Sequence, residues 1–168
     1  MIIRKIEIAD AASFWQLQNQ LDQETKFMML EPGERQKDLE RTKQFIENLE
    51  KNENLLLVAE QGGELVGFIM AACGSYRRTR HCAYIVTGVR KAFQGQGIGT
   101  RFFKELDDWA IKHQIRRLEL TVMVPNAAAK HLYEKNDFMI EGIKKDSMYV
   151  DGKYIDEYYM AKILIGEE

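Results

Sequence analysis

The spacing of apolar residues changes several times along the chain, and each change predicts a new element. The amino-terminal part predicts a strand over Ile2–Ile8 and then two helices, the first capped by Asp10. Two apolar runs on either side of Gln61-Gly62-Gly63 predict a hairpin with strands over Leu55–Glu60 and Leu65–Cys73. The helices carry their apolar stripes at Phe14, Leu17 and Leu21, and at Leu39, Phe45, Ile46 and Leu49.

The middle of the chain has the order strand, glycine-rich turn, helix, strand. An apolar strand over His81–Val89 leads to the glycine-rich turn, Gln94–Thr100, and a period near 3.6 predicts a helix from Ile98 onward. Alternation from Leu118 to Val124 predicts the next strand. The two strands flank a helix, so we expect them to be parallel. Thr87-Gly88 interrupts the first strand and predicts a bulge or a close approach of a ligand.

The carboxyl-terminal part predicts a short helix followed by a long hairpin. Pro125 ends the preceding strand, and Asn126 is a residue type that caps helices. Two strand-like segments, Phe138–Val150 and Tyr154–Leu164, flank Asp151-Gly152, which is typical of a two-residue hairpin turn.

Composition indicates one soluble domain over residues 1–168 with no broad basic field. The formal net charge is -2, which argues against nucleic acid as the main partner. The sequence shows no signal peptide and no apolar run near the ~20 residues that span a bilayer, so we expect a cytoplasmic protein without a membrane partner. Cys73 and Cys82 fall in predicted strands, which favours buried, reduced thiols over a redox pair or a metal site.

The glycine-rich turn is the strongest chemical signal in the chain. Glycines let several N–H groups converge on one anion, and the following helix adds the positive end of its dipole. A nucleotide-triphosphate loop is excluded because Gly99-Thr100 lacks the lysine that reaches the terminal phosphates. A dinucleotide fingerprint fits less well, since Thr100 replaces its third glycine and Glu119, its candidate ribose ligand, lies within a strand.

Two ordered motifs resemble those of the GCN5-related N-acetyltransferase (GNAT) family. They are Gln-x-x-Gly-x-Gly at Gln94–Gly99 and Asn-x-x-Ala-x-x-x-Tyr-Glu-Lys at Asn126–Lys135, one strand apart. The resemblance extends over nearly the whole chain. It implies an α/β fold with a mixed, mostly antiparallel central sheet flanked by helices. It also implies that acetyl-coenzyme A supplies an acetyl group to a primary amine, without a metal.

The resemblance assigns the coenzyme to the glycine-rich turn and to two strands that splay apart. The pyrophosphate is expected on the N–H groups of Gly95–Thr100, and the backbone near Val89 is expected to contact the thioester oxyanion. Asn126 has two open interpretations, a pantetheine contact and a helix cap. The full set of expected coenzyme contacts is Thr87, Gly88, Val89, Gln94, Gly95, Gln96, Gly97, Ile98, Gly99, Thr100, Asn126 and Tyr133.

Tyr133 matches the family's tyrosine general acid, and an ordinary pKa near 10 would keep it protonated at neutral pH. No residue in the sequence stands out as the general base that deprotonates the amine. Glu31 lies in the segment that by resemblance forms the wall of the acceptor site. His81 is a residue type that changes charge near neutral pH, which suits a general base. Tyr84 aligns with a glutamate of some polyamine-acetylating relatives. We expect these three residues on the acceptor side, and a water relay is the alternative base.

The acceptor itself stays open among a small-molecule amine, a polyamine and a protein amino terminus. A non-catalytic acyl-coenzyme A binding module or partner subunit is the competing class, and a nicotinamide-dependent oxidoreductase is a remote third. The resemblance is also compatible with a homodimer.

Overall fold

The computed structural model describes residues 1–164 of the chain. The described residues form one seven-stranded sheet in the order β1-β2-β3-β4-β5-β7-β6, in which β4 and β5 are parallel and the other neighbouring pairs are antiparallel. The predicted fold, a mixed and mostly antiparallel sheet flanked by helices, is confirmed. The elements are β1 (Ile2–Lys5), α1 (Ala11–Glu24), α2 (Leu39–Lys51), β2 (Leu55–Gln61), β3 (Glu64–Cys73), β4 (Cys82–Val89), α3 (Ile98–Lys112), β5 (Arg117–Met123), α4 (Ala127–Lys135), β6 (Met139–Val150) and β7 (Lys153–Ile163).

Two apolar clusters hold helices to opposite faces of this sheet. On one face, Phe102 and Leu106 of α3 pack in a cluster with Leu118 of β5. On the other, Phe14 of α1 packs edge-on against Phe68 of β3, with ring centroids 5.5 Å apart. The helical spacing of the apolar residues therefore sends each helix to one face, as amphipathic helices require.

Both predicted hairpin turns are confirmed. Gly62 and Gly63 have φ values of 62° and 81° between β2 and β3, and Asp151 and Gly152 have 51° and 77° between β6 and β7. Two successive left-handed residues match the twist of the flanking strands, which is why glycine and aspartate are favoured there.

The prediction that the first strand reaches Ile8 is wrong. β1 ends at Lys5, and a single 3-10 turn over Ile8–Asp10 leads into α1. Asp10 does not cap α1 through its side chain: its carboxylate accepts the N–H of Glu7 at 2.8 Å and a pair of bonds from the Arg4 guanidinium. These bonds lower the pKa of Asp10, the Arg4 bond being the largest cause.

Of the two alternatives for Thr87-Gly88, the bulge is wrong, and the close approach of a ligand stays a prediction. The register of β3 with β4 runs without a shift from Gly67↔Val89 to Cys73↔Ala83. The glycine serves packing instead, because a Cβ on Gly88 would lie 2.9 Å from Cδ1 of Leu21 in α1.

The two thiols are free but only half-buried, so the prediction of buried core cysteines is wrong. Partial burial still raises the pKa of the Cys73 and Cys82 thiols above their ordinary value. Within residues 1–164, no helix is long and apolar enough to cross a membrane.

Candidate active site

β4 and β5 separate along most of their length. They pair at three positions, Cys82↔Arg117, Ala83↔Leu118 and Tyr84↔Glu119, and then continue unpaired to Val89 and Met123. A cleft therefore opens between the carboxyl ends of the only parallel pair among the described strands, as the resemblance implies.

The hydrogen-bond alternation of an antiparallel ladder decides which groups of β4 face this cleft. The bonds Arg90 N–H to Val66 O at 2.9 Å and Gly74 N–H to Cys82 O at 3.0 Å mark residues 90 and 82 as bonded to β3. Even-numbered residues of β4 therefore turn their backbone groups to β3, and odd-numbered residues turn theirs toward β5. The backbone groups of Thr87 and Val89 consequently point into the cleft, whereas those of Gly88 are turned to β3.

The glycine-rich turn presents a row of unused N–H donors at the mouth of the cleft. Gly95 and Gly97 have φ values of 74° and 78°, a left-handed conformation that side chains disfavour, and α3 begins at Ile98. None of the six N–H groups from Gly95 to Thr100 donates to an acceptor within residues 1–164. Free N–H donors at the positive end of a helix are the arrangement that favours binding of an anion.

Gln94 and Gly99 also have structural roles at this turn. The side-chain amide of Gln94 donates to the carbonyl oxygen of Val89 at 3.0 Å and so closes the turn onto the strand that precedes it. A Cβ on Gly99 would lie 2.8 Å from Cδ2 of Leu132, so this glycine allows α3 and α4 to approach each other.

Glu24, at the end of α1, anchors the start of the same segment. Its carboxylate accepts the N–H of Lys91 at 2.7 Å and Nε of Arg90 at 3.1 Å, and Arg90 also pairs with Glu64. No sequence pattern predicts this contact, because the partners are more than 60 residues apart.

Tyr133 of α4 is buried on the α3 face of the sheet. Its ring packs against Phe103 and Phe138, with centroids 5.7 and 6.1 Å away, and the residue is 8% exposed. The hydroxyl has no hydrogen-bond partner in the described chain, yet it is not sealed from solvent. Burial, with a smaller contribution from Tyr84, raises the pKa of Tyr133 to about 12. The ordinary pKa near 10 expected from the sequence is therefore wrong.

Asn126 is a helix cap. Its Oδ1 accepts the N–H of Ala129 at 3.2 Å at the start of α4. The cap interpretation is confirmed, and the pantetheine contact stays a prediction.

A cavity of about 360 Å³ lies beside the point where the strands separate. Tyr84 of β4 lines it, and the Tyr84 hydroxyl forms a 2.9 Å hydrogen bond with Oγ1 of Thr121 across the two strands. Arg117 donates Nε to Glu119 at 2.6 Å and two further bonds to Glu141 at 3.0 and 2.5 Å. The bonds from Arg117 lower the pKa of Glu141. The cavity is lined by Tyr84, Arg117, Glu119, Leu120, Glu141, Tyr159 and Met160.

Of the three predicted acceptor-side residues, the structure brings only Tyr84 to this cavity. His81 is exposed just before β4, about 26 Å from Val89 at the usual rise per strand residue. Glu31 is exposed in the loop between α1 and α2, where its N–H donates to Glu34 at 2.8 Å. That loop is tied to the β6–β7 turn by an ion pair of Lys26 with Asp151.

A model of the acetyltransferase (GNAT) family matches residues 15–138, which include the splayed strands, the glycine-rich turn and α4. The chain belongs to the GNAT acetyltransferase family. It is therefore an N-acetyltransferase that depends on acetyl-coenzyme A. The described residues hold no group of three or more His, Cys, Asp or Glu placed to bind a metal ion.

Individual GNAT proteins are similar over most of the chain. L-amino acid N-acetyltransferase AaaT of Escherichia coli is 33% identical over 111 residues, which cover 64% of this chain and 67% of that protein. N-alpha-acetyltransferase RimI of Mycobacterium tuberculosis is 34% identical over 120 residues, covering 70% and 72%. The crystal structure of a GNAT-family acetyltransferase from Streptococcus pneumoniae superposes with a TM-score of 0.92 at 31% identity, covering 97% and 98%.

Proposed function

We propose that this GNAT enzyme acetylates a primary amine by direct attack on the thioester in the cleft between β4 and β5. The observation that carries the proposal is the stretch of β4 that has no strand partner on the side of β5, where the backbone groups of Thr87 and the N–H of Val89 face the cleft. The unpartnered hydroxyl of Tyr133, on the α3 face of the sheet, adds a candidate acid. An acyl transfer needs donors aimed at a developing oxyanion and an acid near the leaving group.

The donor is held mainly by backbone. The six N–H groups of Gly95–Thr100 bind the pyrophosphate, and the positive end of α3 adds to the attraction. The backbone groups of Thr87 and the N–H of Val89 pair with the amides or the thioester carbonyl, while Gly88 is occupied with β3. Gln94 holds the turn in shape through the carbonyl of Val89.

The chemistry requires a neutral amine. The acceptor ammonium first loses a proton, its nitrogen then bonds to the thioester carbon, and the N–H of Val89 stabilises the oxyanion. The C–S bond breaks as Tyr133 donates its hydroxyl proton toward sulfur, and a second proton from the attacking nitrogen restores the phenol. A phenol with a pKa of about 12 is a weaker acid than a thiol near 8.5, so Tyr133 remains protonated between turnovers.

The acceptor is a primary amine of a small molecule, a polyamine or a protein amino terminus. The two relatives act, by their names, on L-amino acids and on N-alpha amines, and both are primary amines. The acceptor approaches from the side of the cavity that Tyr84 lines.

The test combines a binding measurement with an assay of turnover. Calorimetry with acetyl-coenzyme A is expected to show one site, and a thiol-release assay over polyamines, amino acids and peptides is expected to show acetylation of at least one amine. Binding without turnover of any acceptor would indicate a non-catalytic module. The absence of binding would contradict the whole assignment. The homodimer stays a prediction that size-exclusion chromatography with light scattering tests.

A further inference from the structure

The last turn of α1 holds three other segments of the chain in place. Leu21 packs so closely on β4 that a Cβ on Gly88 would lie 2.9 Å from its Cδ1. The buried Asp22 accepts two bonds from the Arg35 guanidinium, at 2.6 and 3.1 Å, and so holds the loop between α1 and α2. Glu24 contacts the segment that leads into the glycine-rich turn. Each of the three contacts therefore fixes a different part of the chain to the same helical turn.

Glu24 caps the short 3-10 turn that joins β4 to the glycine-rich turn. One oxygen, Oε2, accepts the N–H of Lys91, the first residue of the 3-10 turn, at 2.7 Å. The other oxygen accepts Nε of Arg90 at 3.1 Å. The first N–H groups of a helical turn have no partner within it, and a side-chain oxygen that accepts one of them stabilises the start of the turn. Here that oxygen comes from a residue 67 positions away in the chain.

Arg90 adds a second point of attachment to the same segment. It also pairs with Glu64, the first residue of β3, and its guanidinium carbon lies 5.9 Å from the centre of the Phe93 ring. Only 18% of the Arg90 side chain is exposed, so its charge is largely shielded from water. The contact of Glu24 is therefore part of a partly buried network and is not an isolated surface ion pair.

The path from this contact to the glycine-rich turn is short and bonded. Three residues separate Lys91 from Gly95. Within that stretch, the N–H of Phe93 donates to the carbonyl oxygen of Arg90 at 2.9 Å, and the side-chain amide of Gln94 donates to the strand behind it at 3.0 Å. Because the stretch has little freedom of its own, a shift of Lys91 also displaces Gly95.

We propose that Glu24 is a positioning residue for the coenzyme, which sets the place of the glycine-rich turn relative to β4 by holding Lys91 and Arg90. The proposal rests on the binding of acetyl-coenzyme A proposed above. The negative charge of Glu24 works against a pyrophosphate at the neighbouring turn, since like charges repel. Its contribution to binding therefore comes from the hydrogen bonds that hold the backbone and not from its charge. Loss of Glu24 is expected to weaken the coenzyme and to leave the chemical step unchanged.

The chain offers a matched control at the other end of α1, about 20 Å away along the helix axis. Asp10 accepts one backbone N–H, from Glu7 at 2.8 Å, and binds the Arg4 guanidinium at 2.7 and 2.9 Å. It is also partly buried, with 15% of its side chain exposed against 25% for Glu24. Asp10→Ala therefore removes the same kinds of bond at a distance from the glycine-rich turn.

The first experiment compares Glu24→Ala with Asp10→Ala by calorimetry with acetyl-coenzyme A. Both variants are expected to lose stability in urea, but only Glu24→Ala is expected to raise the Kd, at least tenfold. The KM for acetyl-coenzyme A should rise with the Kd, while kcat stays within threefold of wild type. An unchanged Kd in Glu24→Ala, or an equal rise in both variants with folding intact by circular dichroism, would overturn the inference.

The second experiment uses Glu24→Gln, which separates position from charge and serves also where Glu24→Ala does not fold. The amide keeps an oxygen that can accept the N–H of Lys91 and lacks the negative charge, so we expect a Kd for acetyl-coenzyme A within threefold of wild type. A Kd raised tenfold or more in Glu24→Gln would show that the charge matters and would overturn the inference. If wild-type protein does not bind acetyl-coenzyme A, the failure belongs to the proposed function itself.

Discussion

The proposed donor half of the cleft is built from backbone groups, whereas the proposed acceptor half is built from side chains. The donor half consists of β4, the glycine-rich turn and the start of α3, which are continuous in sequence. The acceptor half draws Tyr84, Arg117, Glu141 and Tyr159 from four strands. Backbone groups recognise a constant ligand whatever the side chains are, and side chains can change without disturbing the fold. Under the proposed function, donor recognition therefore depends on backbone that the fold supplies, and the choice of acceptor depends on the side chains of the cavity walls.

The largest expected effect is at Tyr133, the one side chain that the proposed function assigns to the chemistry of the donor. Tyr133→Phe is expected to lower kcat about 100-fold, because it removes the acid. Stability should change little, since the hydroxyl has no partner to lose in the described chain. Stopped-time thiol release measures kcat, and calorimetry checks that acetyl-coenzyme A still binds. Tyr149→Phe, at a position 62% exposed, is the control. A Tyr133→Phe enzyme with kcat within threefold of wild type would remove Tyr133 from the mechanism.

The same tyrosine predicts a pH dependence of stability. Its pKa rises from an ordinary value near 10 to about 12 on folding, so the folded protein holds this proton more tightly than the unfolded chain. The stabilisation is complete below pH 10 and is lost as pH rises to about 12, by roughly 3 kcal/mol. Urea unfolding between pH 9 and 12 measures the loss, which Tyr133→Phe should lack. Parallel curves for the two proteins would contradict the assignment of the shift.

A smaller effect tests the backbone nature of the donor half. Gly97→Ala forces a side chain into a left-handed conformation, which costs about 1 kcal/mol, and Gly62→Ala imposes the same strain in the β2–β3 turn. We expect similar losses of stability in both variants. Only Gly97→Ala should weaken acetyl-coenzyme A, by about tenfold in calorimetric Kd. Equal affinities in the two variants would show that the turn does not hold the pyrophosphate through its backbone.

The smallest effect concerns the ion pair of Lys26 with Asp151, which links the α1–α2 loop to the β6–β7 turn. Both side chains are largely exposed, at 69% and 63%. Lys26→Ala is therefore expected to change the free energy of unfolding by less than about 0.5 kcal/mol. Denaturant titration in low and high salt measures it. A loss above 1 kcal/mol would mean that the acceptor side depends on this pair.

The sequence predicts the position of the glycine-rich turn in the fold well because its evidence is local. Gln94–Gly99 lies on one turn between two strongly patterned elements, so its position in the fold followed from periodicity alone. The evidence for Asn126 as a helix cap was equally local, because the cap bonds to the N–H of Ala129, three residues further on.

The acceptor half could not be predicted because its contacts are long-range. Arg117 meets Glu141 only through the placement of β7 between β5 and β6, and Tyr84 meets Thr121 only where β4 and β5 diverge. The pKa of Tyr133 depended on burial by Phe103 and Phe138, which no single segment reveals. The side chain of Asp10 does not cap α1 because it bonds to Arg4 and to the N–H of Glu7 instead, a choice among local partners that propensity did not resolve.

The ladder of only three residue pairs between β4 and β5 has a mechanical consequence. The four-stranded part of the sheet, β1–β4, and the three-stranded part, β5–β7–β6, share few main-chain hydrogen bonds, and we call this weakly bonded boundary the seam. A pantetheine arm that pairs with the open edge of β4 acts as a surrogate strand and closes the seam. Occupancy by the coenzyme would then stiffen the enzyme, and its melting temperature would rise with the concentration of that ligand, with or without an acetyl group.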